Sequence, residues 1–231
     1  IPDFSLFDQR RFYRPLGAQI WKAIPLETYR GCPYTCAFCN SPAQVIIARE
    51  NDQGVYLRRK SMPHLKTEIE TMIERYSPEF FYINDDAFMA RPKPEIAEFA
   101  EMYKDIKIPF WFQTRFEDVD EEKLTWLQDV GCYRISFGLE HGNEKFRREI
   151  VKREYSNSDA IRLMQIPKDL DITFSVNNVI GFPDETRDLA FDTIEVNRNF
   201  NSDNLSASIL VPFHGTEMRE YAEKKGYIAP G

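Results

Sequence analysis

Segments with strand character alternate six times with segments of helical character along this 231-residue chain. Apolar residues recur at helical spacing between and after the predicted strands, in 64–76, 92–103, 119–129, 143–166, 184–198 and 216–225. The predicted strands, short runs rich in aromatic and β-branched residues, are Ile24–Tyr29, Phe80–Asn84, Phe110–Arg115, Tyr133–Leu139, Ile172–Ile180 and Leu205–Val211. Strands separated by helices pair in parallel through right-handed crossovers, so the pattern predicts an α/β fold of six βα units.

The later strands are apolar on one face only. One face of the third strand carries Trp111, Gln113 and Arg115, and one face of the fifth carries Ser175 and Asn177. A parallel strand covered by helices on both faces is apolar nearly throughout. We therefore predict a curved sheet, a partial (β/α)6 TIM-like barrel with a polar, ligand-filled lumen; an open sheet with an exposed edge is the alternative. Trp111, Gln113, Arg115 and Asn177 are expected to line the space for a substrate.

Three cysteines, Cys32, Cys36 and Cys39, lie within eight residues in the spacing C-x3-C-x2-C. Three thiolates can hold a metal centre while leaving one coordination position open. Thiolates select chiefly zinc or an iron–sulfur cluster, and the spacing alone permits both. A zinc ion could be closed by Cys132 or a histidine, but Cys132 lies in an apolar run and is predicted to be a buried hydrophobic residue. The loop follows the first strand, at the sheet edge where parallel α/β folds bind ligands.

The net charge, the hydropathy and the cysteine content of the chain argue against several classes of protein. The formal net charge is −7, which argues against broad binding to nucleic acid phosphates. No apolar stretch approaches the roughly 18 residues of a membrane span. Four cysteines, three of them in one loop, do not form a disulfide framework, and we expect a cytoplasmic protein.

Residues 1–20 are predicted to be an irregular linker arriving from an upstream domain, and the barrel domain is predicted to cover 21–231.

The stretch Arg30–Asn40, with its three cysteines and with Phe38 before the last of them, resembles the signature of the radical S-adenosylmethionine (SAM) superfamily. The resemblance covers nearly the whole chain from residue 24. It implies that the three cysteines hold three irons of a 4Fe–4S cluster and that SAM binds the fourth iron. In that superfamily an electron from the cluster cleaves SAM, and the resulting 5′-deoxyadenosyl radical abstracts hydrogen from a substrate.

Other segments resemble the SAM-binding positions of the superfamily. Asp85 and Asp86 follow the second strand, where relatives bind the methionine amino group, although the common Gly-Gly-Glu sequence is absent. Arg153 resembles a helical arginine that pairs with the methionine carboxylate in some relatives; Arg147, Arg148 and Lys152 are close competitors. The resemblance implies that the cofactor is contacted by Phe38, Asp85, Asp86, Ser136 and Glu140 (through the ribose hydroxyls), Arg153, and Gly181 (beside adenine).

The segments Glu27–Cys36, Arg58–Ser61 and Ile83–Phe88 are similar to the cobalamin-binding branch of the superfamily. In that branch a cobalamin domain precedes the barrel, and members often methylate unactivated carbons. The resemblance implies an electron donor such as flavodoxin or ferredoxin, a small-molecule substrate, and cobalamin held by an upstream domain. Two alternatives stay open: a methylthiotransferase acting on tRNA or a ribosomal protein, and a non-catalytic module with a zinc knuckle at 32–39.

Overall fold

The main sheet of the computed structural model has six parallel strands and one antiparallel strand. The model describes residues 1–230, so Gly231, the predicted end of the barrel domain, lies outside the described residues. The strands are β1 (Tyr13–Leu16), β2 (Gln19–Leu26), β3 (Tyr29–Arg30), β4 (Arg58–Arg59), β5 (Phe80–Ile83), β6 (Phe110–Thr114), β7 (Cys132–Glu140), β8 (Thr173–Ile180) and β9 (Asn204–Ile209). Their spatial order is β1-β2-β5-β6-β7-β8-β9, while β3 and β4 form a separate two-stranded sheet.

Helices connect successive parallel strands. They are α1 (Ser41–Glu50), α2 (Met62–Tyr76), α3 (Lys93–Tyr103), α4 (Glu121–Asp129), α5 (Glu144–Phe146), α6 (Asn157–Leu163), α7 (Gln165–Asp169), α8 (Arg187–Asn197) and α9 (Glu217–Lys224). A π-helical turn, Arg147–Val151, follows α5, and short 3-10 helices cover Phe4–Leu6, Gln9–Phe12, Phe88–Ala90 and Phe116–Asp118. The sheet curls into a half-barrel, so the predicted partial barrel with parallel strands is confirmed.

The convex face of the sheet forms the hydrophobic core with the helices. Phe81, Phe112 and Ile135 point outward from three adjacent strands and are fully buried against residues such as Ile69 and Phe99 of α2 and α3. Burying a side chain of this size stabilises the fold by about 2–3 kcal/mol. The core therefore lies outside the half-barrel, and the concave face is left for ligands.

The chain before β2 is more regular than the sequence predicted. Residues 1–20 were expected to be irregular, but β1 pairs antiparallel with β2, Tyr13 opposite Lys22. The turn has positive φ at Gly17 (59°) and Ala18 (61°), as a two-residue hairpin of type I′ requires. Ala18 is an unusual residue for this turn, which is why the sequence did not predict the hairpin.

Within residues 1–230, we find no helix with the length and apolar character needed to cross a membrane.

Two elements outside the barrel fix the cysteine loop, residues 32–39, at the carboxyl edge of the strands. The backbone N–H of Ala37 donates to the carbonyl of Val151 (3.1 Å), and the N–H of Met218 donates to the carbonyl of Ala37 (2.8 Å). Ala37, Val151 and Met218 also share a small apolar cluster with Phe146 and Phe182. The loop is therefore held by the π-helical turn on one side and by α9 on the other.

Candidate active site

A cavity of about 210 Å³ lies inside the half-barrel beneath the cysteine loop. It brings together most of the residues predicted to bind metal, cofactor or substrate: Cys32, Cys36, Phe38, Cys39, Asp86, Gln113, Arg115, Ser136, Glu140, Arg153 and Asn177. Thr114 and Gly138 complete its wall. Three of the predicted residues, Asp85, Trp111 and Gly181, do not line it.

The three thiols differ in exposure. Cys36 is buried, while Cys32 and Cys39 are partly exposed to the cavity. Burial raises the pKa of Cys32 to about 11 and also raises the pKa of Cys39. Ligation of a metal centre by these thiols would release their protons.

The donor set of this cavity fits an iron–sulfur cluster. Three thiols face one space, and no fourth cysteine or histidine lines it. Among residues 1–230, no three His, Cys, Asp or Glu side chains are close enough together to hold a single metal ion. Cys132 is in the hydrophobic core, as predicted, and is not available to the cavity.

Two guanidinium groups contact the central cysteine. Arg115 Nη1 and Arg153 Nε each lie 3.3 Å from Cys36 Sγ. Arg115 also stacks over the ring of Tyr34, with 3.7 Å from its guanidinium carbon to the ring centroid, and pairs with Glu117. Positive charge next to a metal-bound sulfur lowers the electrostatic energy of a negatively charged centre. The arrangement therefore favours the negative charge that a thiolate-bound cluster brings into the cavity.

Glu140 and Arg153 form a buried ion pair on the cavity wall, 3.3 Å between Oε1 and Nη1. Glu140 ends β7 with a positive φ of 63°, and Arg153 also donates to the carbonyl of Gly138. Burial raises the pKa of Glu140, and the charge of Arg153 opposes that rise. A Cβ at position 138 would meet Glu140 Oε1 and crowd Arg153 Nη1, so the pair keeps its present position only beside a glycine.

A polar layer crosses the lumen below these charges. Ser136 Oγ accepts from Trp111 Nε1 (2.9 Å) and shares a hydrogen bond with Ser175 Oγ (2.8 Å). Asn177 Oδ1 accepts from the hydroxyl of Ser206 (2.8 Å). The predicted polar lumen is thus present, and these serine, tryptophan and asparagine side chains are held by hydrogen bonds to neighbouring side chains.

Asp85 is buried away from the cavity. Its carboxylate accepts from the backbone N–H of Thr28 (2.7 Å) and Tyr29 (3.0 Å), and lies 3.5 Å from Arg91 Nη2. Burial raises its pKa, and Arg91 opposes the rise. The side chain anchors the end of β2 to the loop after β5, and Asp86 is the member of the pair that faces the cavity.

We expect Asp85→Asn to lower the free energy of unfolding by about 2 kcal/mol, because charged hydrogen bonds of this kind contribute about 1.5–3 kcal/mol. Urea denaturation measures the change. Asp129→Asn, at an exposed position on α4, is the matched control and should change stability by less than about 0.5 kcal/mol. Equal stability of the two variants would show that the anchor is unimportant.

His141, which directly follows β7, packs against Glu185 in the loop after β8. His141 is fully buried, and its Nε2 lies 3.2 Å from Glu185 Oε1, although the two atoms are not aligned for a hydrogen bond. The other oxygen of Glu185 accepts from the backbone N–H groups of Gly181 and Phe182. Gly181 has φ 83° and lies beyond the cavity wall. This contact joins residues 44 positions apart, which no local pattern could reveal.

The His141 environment gives a pH prediction. Burial lowers the pKa of His141 below 6.5, and Glu185 opposes that shift. The unfolded chain therefore binds a proton more readily than the folded chain, and stability contributed by this site is lost as pH falls below about 6.5. We expect His141→Gln to flatten the pH dependence of unfolding between about pH 5 and 7 relative to the parent, in urea titrations. An unchanged slope would contradict the prediction, with the exposed His64→Gln as control.

Comparisons with known proteins agree with this geometry. The model of the radical SAM superfamily matches residues 26–196. An uncharacterized methyltransferase of Pyrococcus horikoshii is 25% identical over 196 residues, which are 84% of this chain and 41% of the relative. The anaerobic magnesium-protoporphyrin IX monomethyl ester cyclase of Rubrivivax gelatinosus is 25% identical over 216 residues, 92% of this chain and 37% of that protein.

A solved structure shares the fold. The radical SAM methyltransferase TsrM from Kitasatospora setae superposes with a TM-score of 0.68 at 19% identity, covering 87% of this chain and 39% of that chain. The chain thus spans about two fifths of the length of these relatives. Because the superfamily model matches well over half of the sequence and the three cysteines line one cavity on the expected half-barrel, the chain belongs to the radical SAM superfamily.

Proposed function

We propose that this chain is the catalytic core of a radical SAM enzyme of the cobalamin-binding branch. The observation that carries the proposal is the cavity in which three cysteines meet two arginines and two carboxylates at the carboxyl edge of the strands. A 4Fe–4S cluster and SAM, when bound, supply the carbon radical chemistry of the superfamily. The protein's own task is to hold these groups, to align a substrate and to exclude water.

The residues predicted to bind the cluster, the cofactor or a substrate have the following proposed roles. Cys32, Cys36 and Cys39 ligate the cluster. Asp86 is placed to accept from an ammonium group, and Arg153 to donate to a carboxylate, since a planar guanidinium suits that group. Ser136 and Glu140 offer oxygen atoms to ribose hydroxyls, Phe38 contributes an apolar wall, and Gly181 leaves room beside adenine. Gln113, Arg115 and Asn177 remain our candidates for contact with the part of a substrate that reaches this cavity.

The relatives support methyl transfer as the reaction class. Besides the Pyrococcus protein, the cytidylyl-2-hydroxyethylphosphonate methyltransferase of Streptomyces wedmorensis is 23% identical over 216 residues. We propose that cobalamin is supplied by an upstream domain, that residues 1–20 lead from it, and that a flavodoxin or ferredoxin delivers electrons in the cytoplasm. The substrate is proposed to be a small molecule.

Anaerobic reconstitution with iron and sulfide, followed by reduction in the presence of SAM, tests the proposal. We expect iron and sulfide to bind and 5′-deoxyadenosine or a methylated product to accumulate. Binding of zinc in place of iron, with no change on addition of SAM, would support the zinc-knuckle alternative and overturn the proposal. Product formation only on tRNA or a ribosomal protein would favour a methylthiotransferase instead.

A further inference from the structure

A second cavity, of about 310 Å³, lies in the concave face below the first. The β1–β2 hairpin closes it on one side, and the amino-terminal halves of β5 and β6 close it on the other. Its wall is formed by Arg14, Leu16, Trp21, Phe80, Tyr82 and Trp111, together with Pro15 and Ala23. A volume of this size is at the lower end of small-molecule sites.

Aromatic rings make up most of this wall, and they are fixed in place. The rings of Trp21 and Phe80 lie 5.6 Å apart, and those of Tyr82 and Trp111 lie 4.8 Å apart. Trp21 Nε1 donates to the carbonyl of Leu16 (3.0 Å), and Trp111 Nε1 donates to Ser136. The guanidinium of Arg134 lies over the Trp111 ring, 5.5 Å from its centroid. Ring surface that still faces the cavity is held without reorganisation, which favours stacking with another ring.

The cavity contains one cation and no carboxylate. Arg14 stands opposite Trp21 in the β1–β2 ladder and so faces the same side of the sheet. It forms no ion pair with any acidic residue of the described chain, residues 1–230. Burial raises the pKa of the Tyr82 phenol, and the positive charge of Arg14 opposes that rise. Arg14 is an exposed residue at the rim of the cavity, so its guanidinium is free to pair with an anionic group that enters.

The second cavity lies directly below the first. Trp111 and Gln113 are two residues apart on the same face of β6, which places them about 7 Å apart along the strand. Ser136 lines the upper cavity and accepts the hydrogen bond of Trp111, whose ring lines the lower one. A molecule in the lower cavity would be separated from the cofactor site only by this polar layer.

We propose that the lower cavity binds the substrate, and that the substrate carries a planar aromatic or conjugated ring together with an anionic group such as a carboxylate. The rings of Trp21, Phe80, Tyr82 and Trp111 contact its flat faces, and Arg14 pairs with the anion. The proposal rests on the proposed function for the chemistry, but the binding site itself does not depend on the cluster.

Isothermal titration calorimetry on the cluster-free chain tests the site with three probes: 2-naphthoate, its saturated analogue decahydro-2-naphthoate, and the uncharged 2-naphthylmethanol. We expect 2-naphthoate to bind about tenfold more tightly than the saturated acid, since each aromatic contact is worth up to about a tenfold change. Equal affinity for the planar and saturated acids would overturn the ring assignment.

Two arginine variants separate the charge from the rings. Arg14→Gln is expected to weaken 2-naphthoate about fivefold while leaving 2-naphthylmethanol unchanged, a size typical of a partly exposed ion pair. Arg11→Gln, an exposed arginine of the same segment outside the cavity, is the matched control and should change neither affinity. Equal effects of the two variants would overturn the role of Arg14. Trp111→Leu should weaken both naphthalene probes, with its fold checked by circular dichroism.

The outcomes also separate this site from the proposed function. If 2-naphthoate does not bind but the reconstituted chain still cleaves SAM, the substrate site is wrong and the function stands. If 2-naphthoate binds as described but no cluster forms, the function is wrong and the site stands. Competition between hydroxocobalamin and 2-naphthoate would assign the cavity to the corrin and overturn its role as a substrate site.

Discussion

Cys36→Ala is expected to reduce iron binding on anaerobic reconstitution to background and to abolish SAM cleavage. Cys36 is the central and most buried of the three thiols, with Arg115 and Arg153 each 3.3 Å from its sulfur. Removing it leaves two thiols, which cannot replace a three-cysteine ligand set. Iron and sulfide analysis, visible absorption and chromatography of 5′-deoxyadenosine measure the three effects.

Cys132→Ala is the matched control, because it removes the one cysteine that lies in the core. It should bind iron as the parent does and lower the free energy of unfolding by about 1 kcal/mol. If Cys36→Ala retained iron, or if Cys132→Ala lost it, the ligand assignment would be wrong. Zinc content measured in the same samples distinguishes a cluster from a zinc site.

The fold was predictable where the residues of a strand alternate between apolar and polar side chains. The outward faces of β6 and β7 are continuous apolar rows, and their inward faces carry polar residues at every second position, such as Gln113 and Ser136. This alternation was sufficient to predict a polar lumen, while the alternation of strands with helices predicted six parallel strands. The helix α1 was missed because Val45–Ala48 is an unbroken apolar run without helical spacing, although Pro42 marks the start of the helix.

The site was less predictable, because it depends on loop geometry. Asp85 and Asp86 are adjacent in sequence, and strand alternation ends at Ile83, so nothing local decides which one faces the lumen. The β1–β2 hairpin closes the lower cavity, yet Gly17 and Ala18 form an unusual turn sequence. Trp111 was expected beside Gln113, and both face the lumen, but the polar layer assigns them to different cavities.

Breaking the ion pair of Glu140 and Arg153 is expected to destabilise the fold strongly. Arg153→Met should lower the free energy of unfolding by about 3–5 kcal/mol, because it leaves a carboxylate buried without its cation. Combining it with Glu140→Gln removes the uncompensated charge, so the double variant should recover about 2–3 kcal/mol of that loss. Lys152→Met, which removes a neighbouring cation paired loosely with Glu217, is the control and should cost less than about 0.5 kcal/mol.

The loss of folding stability in Arg153→Met should increase as the pH rises. Burial already raises the pKa of Glu140, and removing Arg153 takes away the charge that opposes the rise. The folded variant then keeps a proton at a pH where the unfolded chain has released it, so stability is highest at acidic pH and falls as pH rises through the folded-state pKa. Urea titrations at about pH 5 and about pH 8 should show a growing deficit for Arg153→Met and a nearly constant one for the double variant. If Arg153→Met were as stable as the parent at both pH values, Glu140 would not depend on Arg153 in the absence of bound SAM, and the arginine would be free to pair with the cofactor's carboxylate alone.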